Sequence, residues 1–561
     1  MKLHHGLLAL SIFGTTVACG AIVGIRDVSD APAGGDASTT PDGASEAASP
    51  DAAVDAAKDA GPDAPVSEEL TGGEAHFLQA GDTVTLAYVE KATGATKDLE
   101  VSANGAFTFP AVAKTASVKT PAANKRCWLR DTGKKTVDVR CVLAAQVVVP
   151  AATTESGSYV AIPGGEATFS TDLAKSTLLV TFSMPFASTS APEVNPPNLA
   201  SVMVRAIVDG DPDKTIELTR GSTYWHQGWN QMLLGTIEVG PGPHTVATEF
   251  REIQPTPVAG RAAQVGAQID LGRGVVFDYK SELLVVGLES LRTFEGLEST
   301  KVTAEQVLTS ADKNKWHTMH TVSGTSATPQ KALVTAYYPE VEAQSASSVS
   351  AAWYALMAGT QTLAGHDLYH VQDSNGVRPI TLVSTATVSG PWSFQLDQRT
   401  AVGPTRIAPG IGGKARAGGA ISALLFSPAS DLQSWSFSGD ADLGGAVNAW
   451  QPVAGSKATV KTKGKALLFA NVNRLANTTP AGASEIGVFD GATELVRGWT
   501  QSWSYDYGQG CAVATMVDFS GAGPHEVELR VRRGNDGVPL LRHSPTPDFR
   551  GVSSITVVPL D

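Results

Sequence analysis

The sequence predicts an all-β chain, one β-sandwich followed by three jelly-roll-like β-sandwiches, and three observations carry that prediction. Glycine and proline are abundant, 56 and 32 of 561 residues, which favours frequent turns over long helices. Short segments such as TVTLAYV (83–89) and AFTF (106–109) alternate with the period of two expected of half-buried strands. One set of such segments recurs three times beyond residue 150. The length exceeds one domain. A formal net charge of −13 excludes the basic surface that a nucleic-acid partner requires.

The chain opens on Lys2, His4 and His5, followed by an apolar run over 6–18 that ends in Thr16-Val17-Ala18-Cys19. That run is too short to span a ~30 Å hydrocarbon core, and it suits the central region of an export signal. The small residues before Cys19 resemble the lipobox of bacterial lipoproteins. The resemblance implies a signal peptide over 1–18, cleavage before Cys19, and a diacylglycerol on its sulfur. Each buried methylene then contributes ~0.8 kcal/mol, so the acyl chains make the membrane a durable partner. Gly20 resembles the outer-membrane sorting pattern of that family, so the expected location is the outer membrane, lipid-anchored, at the cell surface or the periplasmic face.

Residues 19–66 are expected to form a lipid-anchored acidic linker. From 27 to 66 there are eight Asp and one Glu against Lys58, and no aromatic residue. Such a stretch cannot repay its ordering entropy by burying apolar surface, and like charges with proline keep it extended.

Residues 67–150 read as the first folded module. Asn104-Gly105 between two β-prone runs is a hairpin signal. The segment 127–141 is nearly symmetric about Gly133-Lys134-Lys135, so Cys127 should face Cys141 across an antiparallel pair. That spacing suits a disulfide at a non-hydrogen-bonded position, worth ~3 kcal/mol on a chain-entropy account, in an exported and oxidising setting. A metal site is the weaker alternative, because no His or second Cys pair accompanies the two cysteines. The runs 83–86 and 101–109 with the closing Cys pair resemble the Ig-like repeats of large bacterial surface proteins. The resemblance implies a β-sandwich spacer or adhesive module without catalytic residues.

Residues 151–292, 293–430 and 431–561 read as three divergent copies of one module. GPHTVATEFR (242–251) returns as GPHEVELRVR (523–532), with GPWSFQLDQR (390–399) between them. Each is preceded by an apolar strand (176–182, 331–337, 465–471) and followed by another (282–288, 421–426, 554–560). Proline has a fixed φ and no N–H, so each Gly-Pro corner should begin a strand. The Ala-rich stretch 347–357 has helical propensity but aligns with strands at 201–209 and 485–490, and is therefore read as a strand. Thr303-Ala304-Glu305-Gln306 has the form of a capping box and predicts a short helix between copies one and two. The pattern resembles the jelly-roll heads of the C1q and tumour-necrosis-factor type, and also bacterial and phage receptor-facing modules. The resemblance implies partner binding, often in trimers, and brings no catalytic set.

Several residues are candidates for chemistry. Trp225 and Trp229, with Trp499, Trp503, Tyr505 and Tyr507, occupy matching places before the Gly-Pro corner, and aromatic planes beside amides can stack on sugar rings. The alternative is that they pack the sandwich core, as such residues commonly do. Asp209, Asp211 and Asp213 alternate as in a calcium turn, although Arg220 stands where a bidentate Glu is required, and a solvated turn is the alternative. His366 with His370 and His317 with His320 lack an H-E-x-x-H frame, 410–414 lacks the phosphate-loop spacing, and no G-x-S-x-G occurs. Cys511 begins an apolar strand and is expected to be buried. No cofactor is expected. The function read from the sequence is a non-enzymatic envelope lipoprotein displaying β-sandwich modules, with a polysaccharide or an envelope protein as partner. The rival readings are a lectin using the Trp/Tyr segments and an unrecognised envelope hydrolase.

Overall fold

A computed structural model describes residues 66–560 apart from the turns between the first strands, segments 188–199, 223–229, 254–262, 271–275, 344–349, 371–376, 408–418, 445–448, 478–481, 503–508, 534–538 and 542–550, and a few further residues. For 66–141 the description is of backbone alone. The expected signal peptide, Cys19 and the acidic stretch before Val66 therefore lie outside the described residues.

The described chain is all-β, as predicted; among the described residues the only helical elements are two 3-10 turns, Leu288–Ser290 and Ser310–Asp312. The first eight strands are β1 (Val66–Leu70), β2 (His76–Ala80), β3 (Val84–Glu90), β4 (Thr96–Val101), β5 (Gly105–Thr108), β6 (Ala113–Thr120), β7 (Lys125–Asp131) and β8 (Thr136–Cys141). They form two four-stranded antiparallel sheets, in the orders β1-β6-β3-β4 and β2-β7-β8-β5. In the β7–β8 pair Cys127 is the register partner of Cys141.

The next module consists of β9 (Ala144–Val149), β10 (Val160–Thr171), β11 (Ser176–Met184), β12 (Ala200–Val208), β13 (Asp211–Ser222), β14 (Gln231–Val239), β15 (Gly242–Ile253) and β16 (Ser281–Gly287). Its two sheets run β14-β11-β16-β9 and β10-β15-β12-β13. The boundary drawn at 150 falls too late, because β9 pairs along β16 from Ala144↔Val286 to Val149↔Ser281 and so belongs to this module. Along β15 the side chains Val246, Thr248 and Phe250 are buried while their neighbours are partly exposed, the period-two pattern of a strand covering a core on one face. In β11 all nine residues are buried, which is why it reads as a continuous apolar run and not as an alternation.

The same strand order returns twice. The middle module has β17 (Phe294–Lys301), β18 (Trp316–Ala343), β19 (Ser350–Ala358), β20 (Gln361–His370), β21 (Val377–Val402) and β22 (Ala420–Phe426). Here β18 and β21 each serve both sheets, pairing with one another along most of their length. The last module has β23 (Gln433–Phe437), β24 (Gln451–Pro452), β25 (Ala458–Val460), β26 (Lys465–Asn477), β27 (Gly482–Asp490), β28 (Thr493–Ser502), β29 (Gln509–Asp518), β30 (His525–Arg533) and β31 (Ser553–Pro559). The repeat seen in the sequence is thus a repeat of topology.

Two local expectations are corrected. The Gly-Pro corner begins a strand at Gly242 and just precedes one at Gly523-Pro524, but Gly390-Pro391 lies inside β21. Gly390 has φ +65°, and the partner strand skips register between Ser326 and Gln330, so the ribbon bends at this point without breaking. Residues 303–305 of the capping box lie outside the described residues, and Gln306 lies in the short strand Gln306–Leu308, paired with Thr405–Ile407, where a helix was expected. Tertiary pairing outweighs local propensity there. The strand expected at 347–357 is present as β19 despite its alanines.

Each of the three modules touches the other two, and equivalent edges do so in cyclic order. β13 and β14 of the first lie against β18 and β21 of the second, and β20 and β21 of the second lie against β26 and β31 of the third. The cycle closes where β29 of the third packs on β11, β14 and β16 of the first. One apolar cluster runs through all three, joining Leu179, Leu234 and Val286 to Leu333, Tyr337 and Leu424 and to Leu467, Phe469 and Val558. At ~1.5–3 kcal/mol for each large apolar side chain buried, this shared cluster holds the modules together as firmly as a domain core. At the second-to-third contact the His366 ring lies against Gly510, where an added Cβ would come within 2.6 Å of it.

Candidate functional site

The Arg that ends each Gly-Pro repeat segment occupies one position in all three modules. Register places Arg251 opposite Met203, Arg399 opposite Trp353 and Arg532 opposite Glu485. Each guanidinium stacks on an aromatic ring: Arg251 on Tyr159 at 4.7 Å, Arg399 on Trp353 at 5.5 Å and Arg532 on Trp450 at 4.8 Å. Arg205 covers the Tyr159 ring as well, at 3.9 Å, and donates to Glu249. In the third module Arg532 Nη2 donates to the wholly buried Glu485 at 2.7 Å. Such stacks stabilise by ~0.5–2 kcal/mol and fix a planar cation on the face of the sheet turned away from the module core.

Among the glycan candidates, Trp499 lies on this row, since its backbone pairs with Glu485 across β27 and β28. Its side chain, and Trp225, Trp229, Trp503, Tyr505 and Tyr507 entirely, lie outside the described residues.

The acidic turn has a different use from the calcium site considered above. Asp209 Oδ2 meets His244 Nδ1 at 2.7 Å and its Oδ1 accepts the Thr245 N–H at 2.9 Å, while His244 Nε2 meets the Gly240 carbonyl at 2.8 Å. Asp211 Oδ1 accepts the Asp213 N–H and its Oδ2 faces Lys214. The Asp209 and Asp211 carboxylates are thus spent on the protein, and no group of three His, Cys, Asp or Glu that could hold a metal occurs among the described residues. Although burial opposes it, the bonds from His244 and Thr245 hold the Asp209 carboxyl below its usual range. The third module repeats the device with Asp490, His525 and Glu526, His525 Nδ1 lying 2.5 Å from Asp490 Oδ2.

The histidine pairs are separated into structural roles. His317 faces Asp312 at 3.6 Å, His320 Nδ1 bonds the Tyr338 hydroxyl at 2.6 Å, and His366 is buried. Cys511 is buried, as expected, and burial pushes its thiol up to about 12.

A cleft of about 330 Å³ opens between the first and second modules. Its walls carry Leu179, Leu234 and Tyr337, with the hydroxyls of Thr236, Thr335, Ser299 and Ser422, and Lys214, Lys301, Asp213 and Glu238 stand among its lining. Tyr337 is buried and its hydroxyl donates to the Glu217 carbonyl of the first module at 2.6 Å. Burial, with the Glu217 carboxylate adding to it, raises this phenol well above its usual value, so it remains a donor. Sequence reasoning missed the cleft and its tyrosine, because they arise only where two copies meet. It also passed over the recurring Arg, which was visible at the end of all three quoted segments.

Comparisons with known proteins add little. No family model matches the chain, and no curated protein matches it. A solved structure described as "Structure of infectious bursal disease virus Gx strain" is 11% identical, covering 89% of this chain and 80% of that one, with a TM-score of 0.10. At that score it carries no argument about fold or function.

Proposed function

We propose that this chain is an exported, non-enzymatic lipoprotein, acylated at Cys19, that carries its β-sandwich modules on an acidic linker at the outer membrane and binds an envelope polysaccharide or protein there. The observation that supports this reading best is the closure of three jelly-roll modules on one another by equivalent edges around one apolar cluster. The closure favours a rigid display body over a hinged, cleft-closing one. The Cys127↔Cys141 register supports a disulfide in the first module. Mass spectrometry of the mature N-terminus tests the anchor: the expected product begins at a diacylglyceryl Cys19, and an unmodified N-terminus elsewhere would sink it.

A lectin is the second reading, favoured by the position of Trp499 on the arginine–aromatic row. Binding of the full chain to a glycan array, weakened in Trp499→Ala, is its expected signature.

A further inference from the structure

The three contacts between modules are built alike, yet one of them is left open. Strand pairing makes Thr181, Thr335 and Phe469 equivalent, through Leu284, Ser422 and Thr556 on the neighbouring strand. By the same register Ser183, Tyr337 and Asn471 are equivalent one step further on. At the second-to-third contact Phe469 fills the space, Asn471 Nδ2 donates to the Val383 carbonyl at 3.1 Å, and Ser434 and Ser436 reach across to Ser384 and to the Leu363 carbonyl. At the third-to-first contact Ser183 accepts the Ala514 N–H at 3.4 Å and Glu282 accepts from Thr515 at 2.6 Å.

At the first-to-second contact Thr381 Oγ1 donates to the Met232 carbonyl at 2.7 Å, but the closures made by Phe469 and by the Ser434 and Ser436 hydroxyls have no counterpart. Thr335 is small where Phe469 is large, and Ser299 bonds Ser422 within its own module at 2.8 Å instead of reaching across. Tyr337 passes the facing β14 strand to bond Glu217 on β13, acting as a strut beside the cleft. Among the described residues the hydroxyls of Thr236 and Thr335, the Lys301 ammonium and the Asp213 carboxylate make no hydrogen bond or ion pair, and all four residues line the cleft. Glu238 is paired with Lys175, and Lys214 with Asp211. The unspent groups therefore comprise one cation, one anion and two neutral hydroxyls around an apolar wall of Leu179, Leu234 and Tyr337.

We propose that this cleft binds a neutral saccharide of one or two rings. The balance of charge disfavours a phosphate or an ammonium ligand, whereas a sugar presents a C–H face to the apolar wall and hydroxyls that both donate and accept. The volume lies at the lower end of small-ligand sites. For its ligand class the inference rests on the polysaccharide reading given above, although it places the contact away from the Trp/Tyr segments.

Isothermal titration calorimetry of the full chain tests it, with glucose, galactose, mannose, N-acetylglucosamine and their β-1,4-linked disaccharides as probes and glucuronic acid and glucosamine as charged controls. At least one neutral probe should bind more tightly than the charged ones. Thr335→Phe, which copies the closed contact, and Thr236→Val, which removes a hydroxyl at nearly constant shape, should each weaken that binding about tenfold. Thr236→Val keeps the test decisive if the larger Phe prevents folding. Sugar binding that survives both threonine substitutions but is lost in Trp499→Ala would overturn the cleft and leave the lectin reading standing. Absence of binding to every probe, on calorimetry and on the glycan array alike, would overturn both.

Discussion

Tyr337 and Asn471 stand at the same position of two different modules, and each donates to the backbone of the module before it, at 2.6 and 3.1 Å. Their surroundings differ in a way that predicts unequal costs. Val383, which accepts from Asn471, also accepts from Ser554 Oγ at 3.1 Å, and Asn471 Oδ1 is itself buried without a partner among the described residues. Asn471→Leu should therefore be close to neutral, whereas Tyr337→Phe should cost about 1 kcal/mol, the net worth of a buried hydrogen bond. Thermal unfolding of the two variants checks the order; a larger loss in Asn471→Leu would contradict it.

Glu485 predicts a second inequality. Its side chain is completely buried and faced by Arg532 at 2.7 Å and Arg497 at 3.7 Å. Arg532→Met strips the nearer cation from a carboxylate that has no access to water, at a cost of about 3–5 kcal/mol. The equivalent Arg251→Met removes a ring stack and a contact to the Met203 sulfur but orphans no buried charge, so its cost should stay within about 0.5–2 kcal/mol. Equal destabilisation of the two variants in denaturant titrations would show that Glu485 is not the reason.

The two Asp–His devices should respond to pH in opposite directions. The hydrogen bond His525 donates to Asp490 raises its imidazole, against some loss from burial. A raised histidine contributes stability that is complete below its unfolded value of about 6.5 and disappears as pH climbs through the folded one. The Asp209 carboxyl is held below its usual 3.8, so its contribution is present above that value and disappears as pH falls through the lower folded one. Asp490→Asn should flatten the decline of melting temperature on the alkaline side of neutrality, and Asp209→Asn the decline in acid. Melting curves across the pH range read both, and interchange of the two effects would refute the assignment.

Much of this architecture was legible in the sequence. The Gly-Pro corners and the apolar strands flanking them revealed the three copies because local period and turn chemistry repeat within each copy, and the symmetric segment 127–141 was enough to place Cys127 against Cys141. What was not legible depends on contacts between distant residues. Nothing local distinguishes Thr335 from Phe469 as the open and closed forms of one contact. The spacing of Asp209, Asp211 and Asp213 suggested an ion because His244, the real partner of Asp209, lies 35 residues away. The capping box at 303–306 misled because its last residue, Gln306, pairs with Ile407, a partner that local propensity cannot register.

Asp367 joins the fold to pH at the contact between the second and third modules. It lies on β20, fully buried, beside Asn473 and Arg474 of β26. Burial pushes its carboxyl up to about 7; Arg474, Asn473 and Trp353 favour the charged form and only partly offset this, while Asp440 adds to the rise. A carboxyl raised in the folded state contributes stability that is complete below its usual 3.8 and is lost as pH rises through about 7. Asp367→Asn cannot ionise, so its melting temperature should exceed that of the parent by a margin that grows from about pH 4 to about pH 7, levels off above that and closes in acid. His525 titrates in the same direction in both proteins, so the difference between them isolates Asp367. A margin that stays constant from about pH 4 to about pH 7 would mean that the carboxylate is already ionised and satisfied where it is buried.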